Sequence, residues 1–409
     1  MNSKQGRERM WNMSDNKIRL AVVGGNRGSA FNKTLEYLSE EVELIAICDL
    51  DEDKVSQWQE TFPDISGYID FDEMLSDDKI DAVFIATPID LHYEQTKKAL
   101  IAGKHVLCEV YAANTLDEIE DLIKTVEDTK LVYMMAENYV YMRPNMMVYN
   151  LVQNGMFGDI TYAEGGYIHD CRPIRIDENG CVTWRGEQMR NVRGNTYPTH
   201  SLGPVAKWMG ITEKDQIKKC ATFVSRQQSI NEYIAKRFGK DNPAAQPGYW
   251  AHGDSVISVL ECESGALIVL RFDGDSLRPH NMVHYQLQGT KASYLSGRYD
   301  GEEGLLWLEG YSSQNKDGTA AKWDNLYKHS YKFEHPLWAD NMKNAVHFGH
   351  GGGDFFILKE FAQSIREKRR PFIDIYDAAT WSGIVPASIE SVKKSGAPVE
   401  VPVFIRRSK

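Results

Sequence analysis

Residues 18–28 read IRLAVVGGNRG and residues 42–49 read VELIAICD, and these two runs decide the fold. Both are apolar at successive rather than alternate positions, the pattern of a strand buried on both faces. Runs of the same kind follow at 81–87 (DAVFIAT), 104–109 (KHVLCE) and 130–137 (KLVYMMAE), separated by amphipathic segments at 28–39, 51–61, 90–102 and 115–127. Strand–helix alternation of this kind predicts right-handed crossovers and a parallel sheet, an α/β Rossmann-type domain over residues 16–140.

Past Arg143 the alternation ends, and residues 141–409 read as an α+β domain with a large, mostly antiparallel sheet. One helix is predicted near 143–154, and strands at 159–169, 217–224, 254–262, 265–273, 283–288 and 292–296. Glu263-Ser264-Gly265 supplies a hairpin turn. Two late helices, about 354–367 and 377–394, pack back on the structure, with Asp354 placed to cap the first. The polar stretch 310–335 reads as loop. Two domains suit a chain of 409 residues.

The formal charge of −11, from 47 basic and 58 acidic side chains, opposes phosphate backbones and predicts no nucleic-acid partner. Residues 1–17 contain no apolar run of the signal-peptide type, and no stretch approaches the roughly 20 apolar residues of a membrane span, so a cytoplasmic location is expected. The six cysteines are scattered without a CxxC pair, which fits a reducing compartment.

The turn Val23-Gly24-Gly25-Asn26-Arg27-Gly28 is one residue short of a full GxGxxG. Its glycines let backbone approach a pyrophosphate, and the helix that follows offers positive potential. Asp49 ends the next strand, where a carboxylate can hold both ribose hydroxyls and repel a 2′-phosphate. NAD is therefore predicted rather than NADP, with an ordinary glycine turn as the alternative. Thr87-Pro88-Ile89-Asp90-Leu91-His92 lies at the carboxyl edge of the sheet, either touching the cofactor or forming a turn with Asp90 as helix cap. Cys108-Glu109-Val110-Tyr111 is placed to meet the nicotinamide half.

These segments together resemble the Gfo/Idh/MocA oxidoreductases over nearly the whole chain. Typical dehydrogenases of that family carry Glu-Lys-Pro where this chain has Glu109-Val110-Tyr111, and aspartate where it has Thr196. The departures look like glycoside hydrolase family 109, a branch of NAD-dependent glycosidases first known as α-N-acetylgalactosaminidases. They are Glu137-Asn138, residues 154–158 (NGMFG), residues 163–170 (AEGGYIHD), Trp184-Arg185, Tyr197-Pro198-Thr199-His200 with Leu202-Gly203-Pro204, and Gly349-His350-Gly351-Gly352. The resemblance implies that Gly24, Gly25, Asn26, Arg27, Gly28, Asp49, Thr87, Ile89 to His92, Glu109, Val110, Asn138 and Tyr197 surround NAD. It places Tyr167, Arg185 and Tyr197 to His200 around the sugar, with His280 where relatives have a substrate-contacting tyrosine, and it implies a homo-oligomer.

Direct glycoside hydrolysis wants two carboxylates flanking the bond, and no such pair stands out in the sequence. An oxidative route asks for something else: hydride leaves C3 for NAD+, the ketone acidifies the C2 proton, the aglycone leaves C1, water adds, and the hydride returns. His200 titrates nearest neutral pH and is the candidate base, beside Tyr197 if Thr199 opens a helix. A cationic nicotinamide would lower the Tyr197 pKa, and Glu137 is a candidate assistant. Structural alternatives stand beside each: a core histidine at His200, a core polar group at Glu137, a surface arginine packed on Trp184 at Arg185, and a flexible loop at His350. His169 and Asp170 are too few for a metal site, and none is predicted. The leading reading is a redox glycosidase that hydrolyses an O-linked hexoside, an N-acetylhexosaminide among the candidates, with NAD+ retained and a small-molecule carbohydrate as substrate. A sugar or inositol dehydrogenase releasing NADH and a non-catalytic NAD sensor are the alternatives.

Overall fold

The computed structural model describes residues 17–281, 284–299 and 301–405. Six parallel strands come first: β1 Ile18–Val23, β2 Val42–Cys48, β3 Ser66–Tyr68, β4 Ala82–Ile85, β5 His105–Cys108 and β6 Tyr133–Met135, in the order β3-β2-β1-β4-β5-β6. Every residue of β4 is buried, which is why its sequence is apolar throughout. β1 lies between β2 and β4, so the connections leave it in opposite directions and open a crevice at the carboxyl ends of the strands. β3 is absent from the sequence prediction because Ser-Gly-Tyr, at the sheet edge, carries no apolar run.

The segment expected as one helix at 28–39 is divided: a helical turn at Gly25–Gly28, a 3₁₀ turn at Ser29–Phe31, and a helix at Asn32–Tyr37. The Val110–Tyr111 peptide after β5 is cis.

The second sheet holds β7 Ile160–Ile168, β8 Ile217–Val224, β9 Val256–Cys262, β10 Leu267–Asp273, β11 Tyr285–Gly289, β12 Ala292–Leu295, β13 Leu305–Leu308, β14 Asp324–Asn325 and β15 Val399–Glu400. Its order is β14-β13-β12-β11-β7-β10-β9-β8-β15, antiparallel except for the β7–β10 pair. The predicted turn joins β9 to β10, with Gly265 at φ +86°. Alternation is clear on β9, where Val256, Ser258, Leu260 and Cys262 are buried while Val259 is exposed. One face of the sheet is covered by the helices Thr199–Met209 and Ile384–Lys393, and Phe223, Val259 and Leu305 stand exposed on the other.

Three late expectations are corrected. The segment 377–394 is two helices, Ile375–Ser382 and Ile384–Lys393, meeting at Gly383. Asp354 does not cap its helix; Gly352, at φ +91°, is the N-cap of Gly353–Arg366, and the Asp354 carboxylate instead accepts from Asn138 and His350. The stretch 310–335 contains β14, a 3₁₀ turn at Leu326–His329 and a helical turn at Ser330–Phe333. The late helix Gly353–Arg366 returns to the first sheet, where Arg366 Nη2 donates to Glu41 O at 2.6 Å.

Candidate active site

A cleft of about 810 Å³ runs from the carboxyl ends of β1, β2, β4 and β5 to the ends of β7 and β10. Of the residues expected at the cofactor, Gly24, Asn26, Arg27, Asp49, Thr87, Ile89, Leu91, His92, Glu109, Val110 and Tyr197 line it. Gly25, Gly28, Asp90 and Asn138 do not. Gly25 N–H donates to Asp49 Oδ2 at 2.7 Å, and its carbonyl accepts from Trp58 Nε1. Gly28 is a packing glycine: a Cβ there would meet Val22 Cγ1 at 2.6 Å. Asp90 accepts from Asn114 Nδ2 at 3.1 Å and caps no helix. Asn138 is buried, donating to Asp354 Oδ1 at 2.9 Å.

His92 sits on the cleft wall with its polar atoms already used. Its two ring nitrogens lie 2.8 Å from Tyr111 O and 2.9 Å from Thr87 O, tying the β4 loop to the β5 loop, and burial pushes its pKa down. Arg27 Nε donates to Glu109 Oε1 at 2.7 Å, closing the floor between β1 and β5.

Beyond Tyr167 and Tyr197, which line the other end, stands His200 in the first turn of the helix Thr199–Met209, which Thr199 opens as the sequence suggested; His200, Glu137, Pro198 and Thr199 are not themselves on the cleft lining. His200 Nδ1 lies 2.7 Å from Glu137 Oε1, and Glu137 is 0 % exposed. Tyr139 stacks on the imidazole at 4.0 Å with the ring planes nearly parallel, while Tyr167 and Tyr197 approach it at 5.1 and 5.0 Å. Pro198 precedes the helix and accepts from Leu202 N at 2.8 Å, and the buried Thr199 hydroxyl has no partner among the described residues. Burial pushes the Tyr197 hydroxyl well up, with Glu109 and Glu137 adding to it and Arg185 and Arg27 opposing. In the protein alone this reverses the expected lowering.

His280 is not on the cleft lining. It stacks against His169 at 3.9 Å behind Tyr167, with Tyr139 Oη 3.4 Å away, and burial followed by His169 pushes it down to about 4. The Asp170 carboxylate is taken by Arg172 at 2.7 and 2.8 Å. His350 occupies a 3₁₀ turn, its Nδ1 2.9 Å from Asp354 Oδ2.

The residues that the sequence reading missed come mostly from segment 171–192, whose short elements carry no periodic signal. Arg175, Trp184, Gln188 and Met189 line the cleft from there, and Phe272 joins them from β10. Arg185 does both things proposed for it, packing over Trp184 at 4.2 Å and lining the cleft.

Comparison with known proteins completes this picture. Residues 18–137 match the model of an oxidoreductase family with an NAD-binding Rossmann fold, and residues 141–409 match glycosyl hydrolase 109, C-terminal domain. A glycosyl hydrolase family 109 protein of Stenotrophomonas maltophilia is 32% identical over 95% of this chain and 89% of its own. The chain belongs to glycosyl hydrolase family 109. Another similar protein, named alpha-N-acetylgalactosaminidase, from Tannerella forsythia, is 28% identical over 96% of this chain and 87% of its own. Levoglucosan dehydrogenase, solved in complex with NADH, shares the fold at TM-score 0.76 and 20% identity, covering 95% of this chain and 100% of that one. No helix among the described residues is long and apolar enough to cross a membrane.

This family 109 chain is an NAD-dependent enzyme, and its cleft suits the cofactor. The volume falls within the roughly 300–1,000 Å³ of ligand pockets. Asp49 accepts two backbone N–H bonds, from Gly25 and Asp51, which hold its carboxylate at the end of β2. No lysine or arginine among the described residues bonds to it, which suits ribose hydroxyls and not a 2′-phosphate. Gly24 has φ +92°, and a Cβ there would lie 2.6 Å from Ala86 O. Gly24→Ala is therefore expected to weaken NAD binding at least tenfold and lower thermal stability, by about 1–3 kcal/mol of backbone strain. Calorimetric titration with NAD+ and a melting curve check both.

Proposed function

We propose that this enzyme hydrolyses an O-linked hexoside, an N-acetylhexosaminide being the first candidate, through transient oxidation at C3. The observation that carries it is the buried Glu137–His200 pair at 2.7 Å, packed against Tyr139 and against Tyr167 and Tyr197, the two tyrosines that line the cleft. Glu137 accepts the Nδ1 proton, so Nε2 presents its lone pair and can take the C3 hydroxyl proton. NAD+, when bound, supplies the acceptor for the C3 hydride and the source of its return. Tyr197, kept protonated by burial, donates to the C3 ketone oxygen, which carries enolate charge as the C2 proton is removed and passed to the aglycone oxygen, which leaves C1 as the alcohol. Water then adds across the C1–C2 double bond, its OH to C1 and its proton to C2, and His200 returns its proton as the C3 hydroxyl re-forms. The net reaction is hydrolysis.

Support for this route over two-carboxylate hydrolysis comes from the state of the carboxylates. Glu109 is held by Arg27, Asp49 by backbone N–H groups, Glu137 by His200 and Asp354 by His350. Each is engaged on at least one oxygen, and of the four only Asp49 and Glu109 line the cleft. Val110 is buried and apolar where a dehydrogenase of the wider family carries lysine, which favours returning the hydride over releasing it. The name of the Tannerella forsythia relative supports an α-N-acetylgalactosaminide as substrate. The reading includes a homo-oligomer assembled through the exposed face of the second sheet at Phe223, Val259 and Leu305.

The test follows p-nitrophenyl α- and β-hexosides by aglycone release and NADH absorbance together. The expected result is aglycone release with no net NADH and a primary isotope effect at C2 or C3. Net NADH from free sugars without aglycone release would replace this reading with a dehydrogenase.

A further inference from the structure

The stretch Gly349-His350-Gly351-Gly352-Gly353-Asp354 has no part in the chemistry above, yet it is built around one carboxylate. His350, Gly351 and Gly352 take φ of +49°, +58° and +91°, a run of left-handed backbone that is unfavourable for the histidine in it. A Cβ at Gly349 would clash with Asp354 Oδ2, and one at Gly353 with Asn138 O. The turn thereby brings His350 Nδ1 to 2.9 Å from Asp354 Oδ2 and seats the start of the helix Gly353–Arg366 on the backbone of Asn138. Asp354 is 1 % exposed. Burial raises its carboxyl, but His350, Arg27 and Asn138 outweigh that and hold it below its ordinary value, so it stays ionised.

This carboxylate grips the segment that carries the reacting pair. Glu137, Asn138 and Tyr139 are consecutive, and each is fastened to a different part of the chain. Glu137 Oε1 meets His200 Nδ1, while Tyr139 stacks on the same imidazole and places its hydroxyl 3.4 Å from His280 Nε2. Asn138 Nδ2 donates to Asp354 Oδ1 at 2.9 Å, and its own buried Oδ1 has no partner among the described residues. Glu137 Oε2 is likewise without a partner among them, so Glu137 is aimed through Oε1 alone and its aim depends on where the turn sits.

We propose that Asp354, supported by His350, is a positioning residue that acts through Asn138 to fix the turn 137–139 and so sets the His200 imidazole for proton transfer. This role rests on His200 as the base read above, and it holds whether the hydride is returned or released. It joins the reacting pair to a helix 216 residues further along the chain than Asn138.

Kinetics at saturating NAD+, with the hexoside or free sugar that the wild-type enzyme turns over, test it on single variants and on Glu137→Gln combined with Asp354→Ala. Asp354→Ala is expected to lose about thirtyfold in kcat, with KM and calorimetric NAD+ affinity within about threefold, since a reacting group displaced by about 1 Å can cost about a hundredfold. Asp354→Asn, whose amide oxygen still accepts from Asn138, should recover most of that loss. Added to Glu137→Gln, Asp354→Ala should cost no more than about a further threefold, because both act on one imidazole, whereas independent effects would multiply. Full multiplication, an Asp354→Asn as impaired as Asp354→Ala, or a loss confined to KM or NAD+ affinity overturns the positioning role. If Asp354→Ala does not fold, His350→Ala, on a half-buried ring, carries the test: a kcat loss of about three- to tenfold is expected, and an unchanged kcat overturns the role. His200→Ala separates the two readings. Turnover near wild type in that variant overturns His200 as base and the positioning role with it, whereas lost turnover there and none lost in Asp354→Ala overturns the positioning role alone.

Discussion

His200→Ala is expected to lower kcat for aglycone release by about a thousandfold, within the roughly 10²–10⁴ range of general acid–base catalysis. His200 lies in the helix Thr199–Met209, away from the Gly24 turn and Asp49, so NAD affinity should change little. The substitution also strips Glu137 of its only side-chain partner among the described residues. A carboxylate that is 0 % exposed would keep just the Tyr139 N–H at 3.2 Å, so stability should fall by about 1–3 kcal/mol. Glu137→Gln separates the two effects. The amide oxygen still accepts from Nδ1, so the imidazole keeps its tautomer, but the charge that stabilises an imidazolium is gone, and a loss of about ten- to a hundredfold in kcat is expected. Steady-state kinetics at saturating NAD+ with calorimetric NAD+ titration measures both variants. Turnover by His200→Ala within a few-fold of wild type would remove His200 from the chemistry.

The second large effect concerns the wall beneath Trp184. Arg175 and Asp275 form an ion pair, each 3 % exposed, and Asp275 O also accepts from Ser229 Oγ. Burial raises the Asp275 pKa and Arg175 opposes that rise. Arg175→Met leaves the carboxylate buried and uncompensated, at a cost of about 3–5 kcal/mol. A fall of about 10 °C in the thermal midpoint is expected. The pH dependence has a definite sign. Without Arg175 the folded pKa of Asp275 lies further above its unfolded value, so the native state binds the proton more tightly than the unfolded chain. Stability of the variant then declines as pH rises from the unfolded pKa through the folded one, and its deficit against wild type is larger near pH 8 than near pH 5. Arg175→Met with Asp275→Leu should recover much of the loss, since the buried charge is removed with its partner. An Arg175→Met melting curve that does not depend on pH would mean that Asp275 is not left charged and buried.

Much of the fold was legible because its signals are local. The β4 run is apolar at every position since both faces of that strand are covered, and Gly265 marks a hairpin since its turn needs positive φ. β3 escaped because three residues at a sheet edge have no apolar face to read. The division of 377–394 at Gly383 was missed because both halves keep the same helical periodicity. At the site, Tyr197 and His200 could be named from their block, but that Glu137 is the partner of His200 could not be read before the two were seen together. Asp90 and Asn138 were drawn in by their neighbours in sequence, and their side chains turn out to bond elsewhere.

By itself the sequence determined the parallel sheet, the glycine turn after β1 and Asp49 at the end of β2, and with them the class of cofactor. Strand burial, turn conformation and a carboxylate one strand away are properties of segments a few residues long. Only the tertiary structure decided which polar groups meet. Glu137 and His200 are 63 residues apart in the chain, Gln188 and Tyr111 are 77, and Arg175 and Asp275 are 100. No local pattern carries such pairings, because they arise from packing of the β6 turn, the helix Thr199–Met209 and segment 171–192 around one cleft. A buried charge or donor becomes chemically meaningful only when that packing supplies or withholds its partner.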